Sequence, residues 1–191
     1  MGIAMMACSL MVACGDKNEG ENNDTTPVNP PAPSIADGIN VTFNGTSWTA
    51  AVNNCLYYAQ YEATQFSGAQ TEDAYPIFDE IIYANAVGTT TEVPTSQMAQ
   101  FSNQTHLWVE YYENMYLQDN NGDTYGDWWA AEATTDIKAI DLTALTVTAV
   151  LEGTFFSAYE AFTQNGGATG FEGASRAPYR ATFGNVTMSA K

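Results

Sequence analysis

Along most of the chain, apolar and polar residues alternate with a period of two, and turn signals interrupt the alternation. In INVTFNGTSWTAAV, Val41 and Phe43 share one face, Asn44-Gly45 supplies a two-residue hairpin turn, and Trp48 returns towards the same core, where it is expected to be buried. CLYYAQYEA reads as a continuing strand. HLWVEYYENMYLQ alternates aromatic and polar residues up to a turn at Asp119 to Asp123, and TYGDWWAAEAT leads away from it. LTALTVTAVLEGTFFSAYEAF reads as one long strand or two consecutive ones, and YRATFGNVTMSA closes the chain as a last strand. YPIFDEIIYANAV has the apolar spacing of a short helix after Pro76 but the Ile and Tyr content of a strand, and it is read here as a strand. PTSQMAQF could form one helical turn. With no internal repeat and no regular helical segment between the strands, the pattern predicts an all-β domain, an antiparallel β-sandwich or β-barrel.

The N-terminal segment breaks the pattern. Residues 3–13 are apolar, too short to span a bilayer and of the length of a signal-peptide core, although no Lys or Arg precedes Lys17. Leu10-Met11-Val12-Ala13-Cys14-Gly15 resembles a bacterial lipobox, with Met11 where Leu is usual. That resemblance implies cleavage before Cys14 and lipidation of its thiol, with the acyl chains holding the protein to a membrane. The expected organisation is a lipoprotein signal peptide over 1–13, then a lipidated cysteine and disordered acidic, Pro-rich tether over 14–34. A single all-β domain follows over 35–191.

Charge narrows the choice of partners. Five Lys and Arg face 22 Asp and Glu, a net charge of −17 that repels phosphate backbones and argues against nucleic-acid binding. The abundance of Thr, Asn, Gln, Ser and Tyr suits an extracellular β protein. If Cys8 leaves with the signal and Cys14 carries lipid, Cys55 is alone, and it is expected to be a small buried residue outside any disulfide.

Candidate chemistry centres on one hairpin. Asp119, Asn121 and Asp123 stand at the first, third and fifth positions of a calcium loop, but Thr124 and Ala130 replace its glycine and bidentate glutamate. The stretch therefore reads as a polar turn rather than a metal site. Trp108, Tyr111, Tyr112, Tyr116, Tyr125, Trp128 and Trp129 crowd the same region. Tyr111 and Tyr112 must point to opposite faces, as must Trp128 and Trp129, so some of these rings are expected to meet solvent. Core packing is the first expectation for any one of these rings, because aromatics dominate β cores. For those that meet solvent, Trp108, Tyr112, Tyr125, Trp128 and Trp129 are the candidate ligand-binding residues, since aromatic rings beside Asn, Asp and Gln suit sugar rings. Glu110 with Glu113, or Asp79 with Glu80, would be the carboxylate pairs of a glycosidase. A lone His106 provides neither a His-rich zinc site nor bis-histidine haem ligation. NGGATGFEG lacks the Lys-Ser/Thr of a phosphate loop and reads as a flexible loop. No cofactor is expected.

VTFNGTSWTA after a lipobox and acidic tether, with EGTFFSAY and ATFGNVTMS near the end, resembles small Bacteroidetes surface lipoproteins. Their domain of unknown function is calycin-like or a sandwich. The matching residues are Phe43, Gly45, Trp48, Gly153, Thr154, Phe155, Phe183, Asn185 and Val186. The resemblance implies an outer-membrane, lipid-anchored protein at the cell surface. Asp16, Glu19 and Glu21 next to Cys14 resemble the acidic export signal of that group. The functional expectation is a non-catalytic binding module for an extracellular ligand, with carbohydrate foremost. A structural or adhesion component pairing through edge strands is the alternative, and a hydrolase the third.

Overall fold

The alternation is realised as one large sheet. The computed structural model describes residues 34–72, 75–93, 105–118, 124–164 and 168–191, without the side chains of 107, 114–118 and 124–125. In chain order the strands are β1 (Gly38–Phe43), β2 (Thr46–Thr49), β3 (Val52–Asn53), β4 (Leu56–Tyr58), β5 (Ala63–Ala69), β6 (Ile77–Ile82) and β7 (Gly88–Glu92). The long strands β8 (His106–Gln118), β9 (Thr124–Asp141), β10 (Thr146–Ser157) and β11 (Arg176–Thr187) follow, then β12 (Ser189–Ala190). Neighbours in the sheet run β12-β4-β5-β6-β8-β9-β10-β11-β1-β2, with β3 joined to β5 and β7 to β9. Consecutive long strands pair antiparallel, so most of the sheet is a meander.

The sheet curls until its ends meet. Residues 46–58 pair first with β1 and then with β5. Ala50 N donates to Ile39 O at 2.9 Å, Ala51 N to Ala69 O at 3.0 Å, and β3 and β4 continue along β5. Of the two architectures the alternation allows, the chain adopts the barrel-like one. The hairpin that starts this crossover follows from its dipeptide: Asn44 has φ 46° and Gly45 φ 81°, and Phe43 pairs with Thr46 across a two-residue loop.

Side chains fill the interior. Every second residue of β1 and β6 turns inward, giving Ile39, Val41, Phe43, Phe78 and Ile82 to a core shared with Phe66, Val109, Leu151, Phe155 and Phe183. Burying each such aromatic or branched side chain contributes about 1.5–3 kcal/mol relative to exposure. Trp48 lies in this core at 8% exposure, and its Nε1 donates to the Tyr111 hydroxyl at 3.1 Å. Cys55 is buried as well, and burial pushes its thiol up to about 12, so no thiolate forms near neutrality.

Three segments differ from the sequence reading. CLYYAQYEA is not one strand: β4 ends at Tyr58, Ala59–Tyr61 form a 3-10 turn, and Glu62 adopts φ 51° before β5 begins. The LTALTVTAVLEGTFFSAYEAF run ends in a helix, α1 (Ala158–Phe162), because Ser157 caps it by accepting from Glu160 N. Part of NGGATGFEG forms α2 (Gly170–Gly173) instead of a loop. Together α1 and α2 cover a second apolar cluster on the outer wall, Ala131, Phe156, Ala158, Ala161, Phe171 and Ala174. YPIFDEIIYANAV is the strand β6, whereas PTSQMAQF falls outside the described residues.

Candidate ligand-binding face

The parity that sends Phe78 and Ile82 inward sends Asp79 and Ile81 outward, and the strand register extends this across the sheet. Ser67 pairs with Asp79, Asp79 with Glu110, and Glu110 with Trp129, forming one transverse row. Gln65, Ile81 and Trp108 form the next. Hydrogen bonds link the rows. The Tyr58 hydroxyl donates to Gln65 Oε1 at 2.9 Å, and Gln65 Nε2 donates to Asp79 Oδ1 at 2.8 Å.

Asp79 and Glu110 are carboxylates on adjacent positions of neighbouring strands. Burial pushes Asp79 up to about 7. The charges of Glu110 and Glu80 push the same way, while hydrogen bonds from Gln65 and Ser67 oppose them. Burial also raises Glu110, against hydrogen bonds from Tyr112, Gly126 and Trp108. Both Glu110 oxygens are engaged: Oε1 accepts from the Tyr112 hydroxyl, and Oε2 accepts from Gly126 N at 2.7 Å. The second bond has a structural origin. Between the pairs Tyr111–Trp128 and Tyr116–Gly126, residues 112–115 of β8 stand opposite Asp127 alone, so a wide bulge interrupts the ladder. Glu110 and Asp127 take up backbone N–H groups there, Asp127 Oδ1 accepting from Glu113 N at 2.8 Å.

Further along the same face lies a cavity of about 250 Å³ lined by Tyr58, Tyr61, Ala63, Ile81 and Tyr83, joined to Asp79 through the hydrogen bonds of Tyr58 and Gln65. Tyr61 is 59% and Tyr83 42% exposed, so two of the three rings offer open faces. The 3-10 turn places Tyr61 here, and the outward parity of β6, continued past Ile81, places Tyr83.

The predicted ligand residues divide. Trp108 and Trp129 share the outer wall, 6.4 Å apart, but Trp129 also packs against Phe162 at 5.1 Å and Phe156 at 6.0 Å, at the seam with the helices. Tyr112 bonds Glu110 on the same wall. Trp128 turns the other way, 5.0 Å from Phe43, and its Nε1 donates to Glu113 Oε2 at 2.9 Å. The side chain of Tyr125, the loop residues Asp119, Asn121 and Asp123, and Cys14 lie outside the described residues. Among the described residues no group of three or more His, Cys, Asp or Glu is placed to hold a metal ion.

The carboxylate pairs suggested by chain neighbourhood are not the ones formed. Asp79 and Glu80 point to opposite faces: Glu80 is fully buried in the barrel with His106 and Thr135. There the Thr135 hydroxyl donates to Glu80 Oε1, and His106 Nε2 lies 3.0 Å from Thr135 Oγ1 and 3.3 Å from Glu80 Oε1. Thr135 and Glu80 both meet the Nε2 nitrogen of His106, and each of the three residues is sealed from solvent. The parity of IFDEII, with Glu80 between Phe78 and Ile82, is the signal that marks it as internal.

A largely antiparallel, barrel-like sheet with a filled interior and an aromatic, hydrogen-bonding outer wall is the class these residues define. No family model, curated protein or solved structure gives a significant match to the chain.

Proposed function

We propose that the chain is a lipid-anchored surface lipoprotein whose β domain is a non-catalytic binding module, with carbohydrate as its ligand. The tyrosine-walled cavity on the outer face carries the reading. Pyranose rings stack their C–H faces on aromatic rings, and their hydroxyls need a mixed set of donors and acceptors close by. Tyr61 and Tyr83 provide exposed rings; Gln65, Asp79 and the Tyr58 hydroxyl provide the polar chain beside them.

Hydrolysis is the second reading, favoured by the juxtaposition of Asp79 and Glu110. Binding has the stronger support, because the exposed rings of Tyr61 and Tyr83 suit a sugar face, while Tyr112 and the bulge hold Glu110 in a fixed hydrogen-bonded position. Assembly through edge strands has less support, since residues 46–58 engage both ends of the sheet. Anchoring rests on the lipobox at Cys14, and mass spectrometry of the protein from its host should show an acylated Cys14 N-terminus.

The test of the binding reading is a glycan-array screen of residues 34–191. Retention of a defined glycan set, released intact, supports it. An array with no retained glycan contradicts it, and glycan shortened by the wild type but not by Asp79→Asn would favour hydrolysis instead.

A further inference from the structure

A separate cavity of about 280 Å³ opens at one end of the barrel, lined by Phe43, Asn44, Ser47, Trp48, Gln70, Tyr111 and Glu113 among others. The β1–β2 turn, the end of β5 and the β8 bulge surround it. Its inner wall is aromatic: Phe43 and Tyr111 lie 4.3 Å apart, and Trp48 lies 6.5 Å from Tyr111.

The charge around this cavity has one sign. Glu113 is the ionisable carboxylate of the lining, and among the described residues no Lys, Arg or His joins it. It is held in place from β9, its backbone N–H donating to Asp127 Oδ1 and its Oε2 accepting from Trp128 Nε1. Burial pushes the Tyr111 hydroxyl up to about 12; Glu113 and Asp127 push it the same way, against the hydrogen bond from Trp48. Tyr111 is thus a neutral phenol in a negative potential. Aromatic side chains, a fixed carboxylate and the polar side chains of Asn44 and Gln70 complement a positive charge on an apolar body, and the net charge of −17 adds long-range attraction for cations.

We infer that the barrel-end cavity walled by Phe43, Trp48, Tyr111 and Glu113 binds a small organic cation, an ammonium of a few carbons. An anion would meet Glu113 with no compensating charge. A neutral polyol would use the amides but gain nothing from the carboxylate's charge. This site is distinct from the tyrosine-walled face and stands or falls independently of it.

Calorimetric titration of residues 34–191 with choline, and in parallel with dimethylbutanol, its uncharged carbon isostere, tests the inference. Choline should bind and dimethylbutanol should bind at least about fivefold more weakly. Glu113→Gln keeps an oxygen for Trp128 at an exposed position, so the fold should persist. It should weaken choline about threefold to tenfold, and raised salt should weaken the wild type in the same direction. Equal binding of the two probes, absence of choline binding, or choline affinity indifferent to Glu113→Gln in a variant of unchanged melting temperature would each overturn the inference. A neutral methyl glucoside that binds more tightly than choline would overturn it too.

Discussion

Asp79 faces outward from β6 with Glu110 opposite it on β8, Ser67 and Gln65 on β5, and Glu80 next to it in the chain. Its folded-state pKa of about 7 exceeds its ordinary 3.8, so between those values the folded chain holds a proton that the unfolded chain has released. Stability must therefore fall as pH rises through that window and level off above it. Glu110 shifts in the same direction and deepens the fall. Asp79→Asn should flatten much of the slope in denaturant midpoints measured from pH 4 to 8 and should stabilise the domain at the alkaline end. A slope unchanged by the substitution would mean that another group is responsible. Chain order alone could pair Asp79 only with Glu80. Its true neighbour, Glu110, becomes visible only once β6 and β8 are in register, and register is a tertiary fact.

At the scale of elements, local chemistry announced what local chemistry controls. Asn44-Gly45 requires positive φ at both residues, and the hairpin formed where those residues stand. β8 matches the HLWVEYYENMYLQ run because its aromatic alternation has one consistent reading. The helix α1 was also announced, by Ser157 and Glu160 three residues apart, but the Thr-, Val- and Phe-rich run before it dominates a reading by period. The 3-10 turn at Ala59–Tyr61 carries no comparable cap, as Tyr58 makes no side-chain bond to it, so little marked it in advance. Gly153 illustrates a third case. A Cβ built there would lie 2.0 Å from the Glu132 carbonyl oxygen, which is backbone, beside the irregular pairing of β9 with β10. Gly153→Ala should cost about 3 kcal/mol in chemical unfolding, since two long strands must separate to admit one methyl group. A loss below about 0.5 kcal/mol would show that the strands yield more easily than this contact implies.

For the whole molecule, the all-β class was legible because period-two alternation recurs from β1 to β11. The choice of barrel over sandwich was not, since it depends on residues 46–58 pairing with β1 and then with β5, far apart in the chain. The candidate site was legible in part. Trp108, Tyr112 and Trp129 do share the outer wall, yet among the described residues the most exposed tyrosines are Tyr61 and Tyr83, which the aromatic crowding near residue 110 overshadowed. Burial explains the difference: Trp108 and Trp129 pack on each other, Trp129 also on the helices, and Tyr112 on Glu110, whereas Tyr61 and Tyr83 stay exposed. In the proposed binding mode these tyrosines receive the ligand. Its most direct test is a binding isotherm of the strongest array glycan on the wild-type domain and on Tyr61→Ala/Tyr83→Ala, both positions being exposed enough to leave folding intact. At least about a tenfold loss of affinity at unchanged melting temperature is expected, from two lost ring contacts of about 1 kcal/mol each. Equal affinities in the two proteins would contradict it.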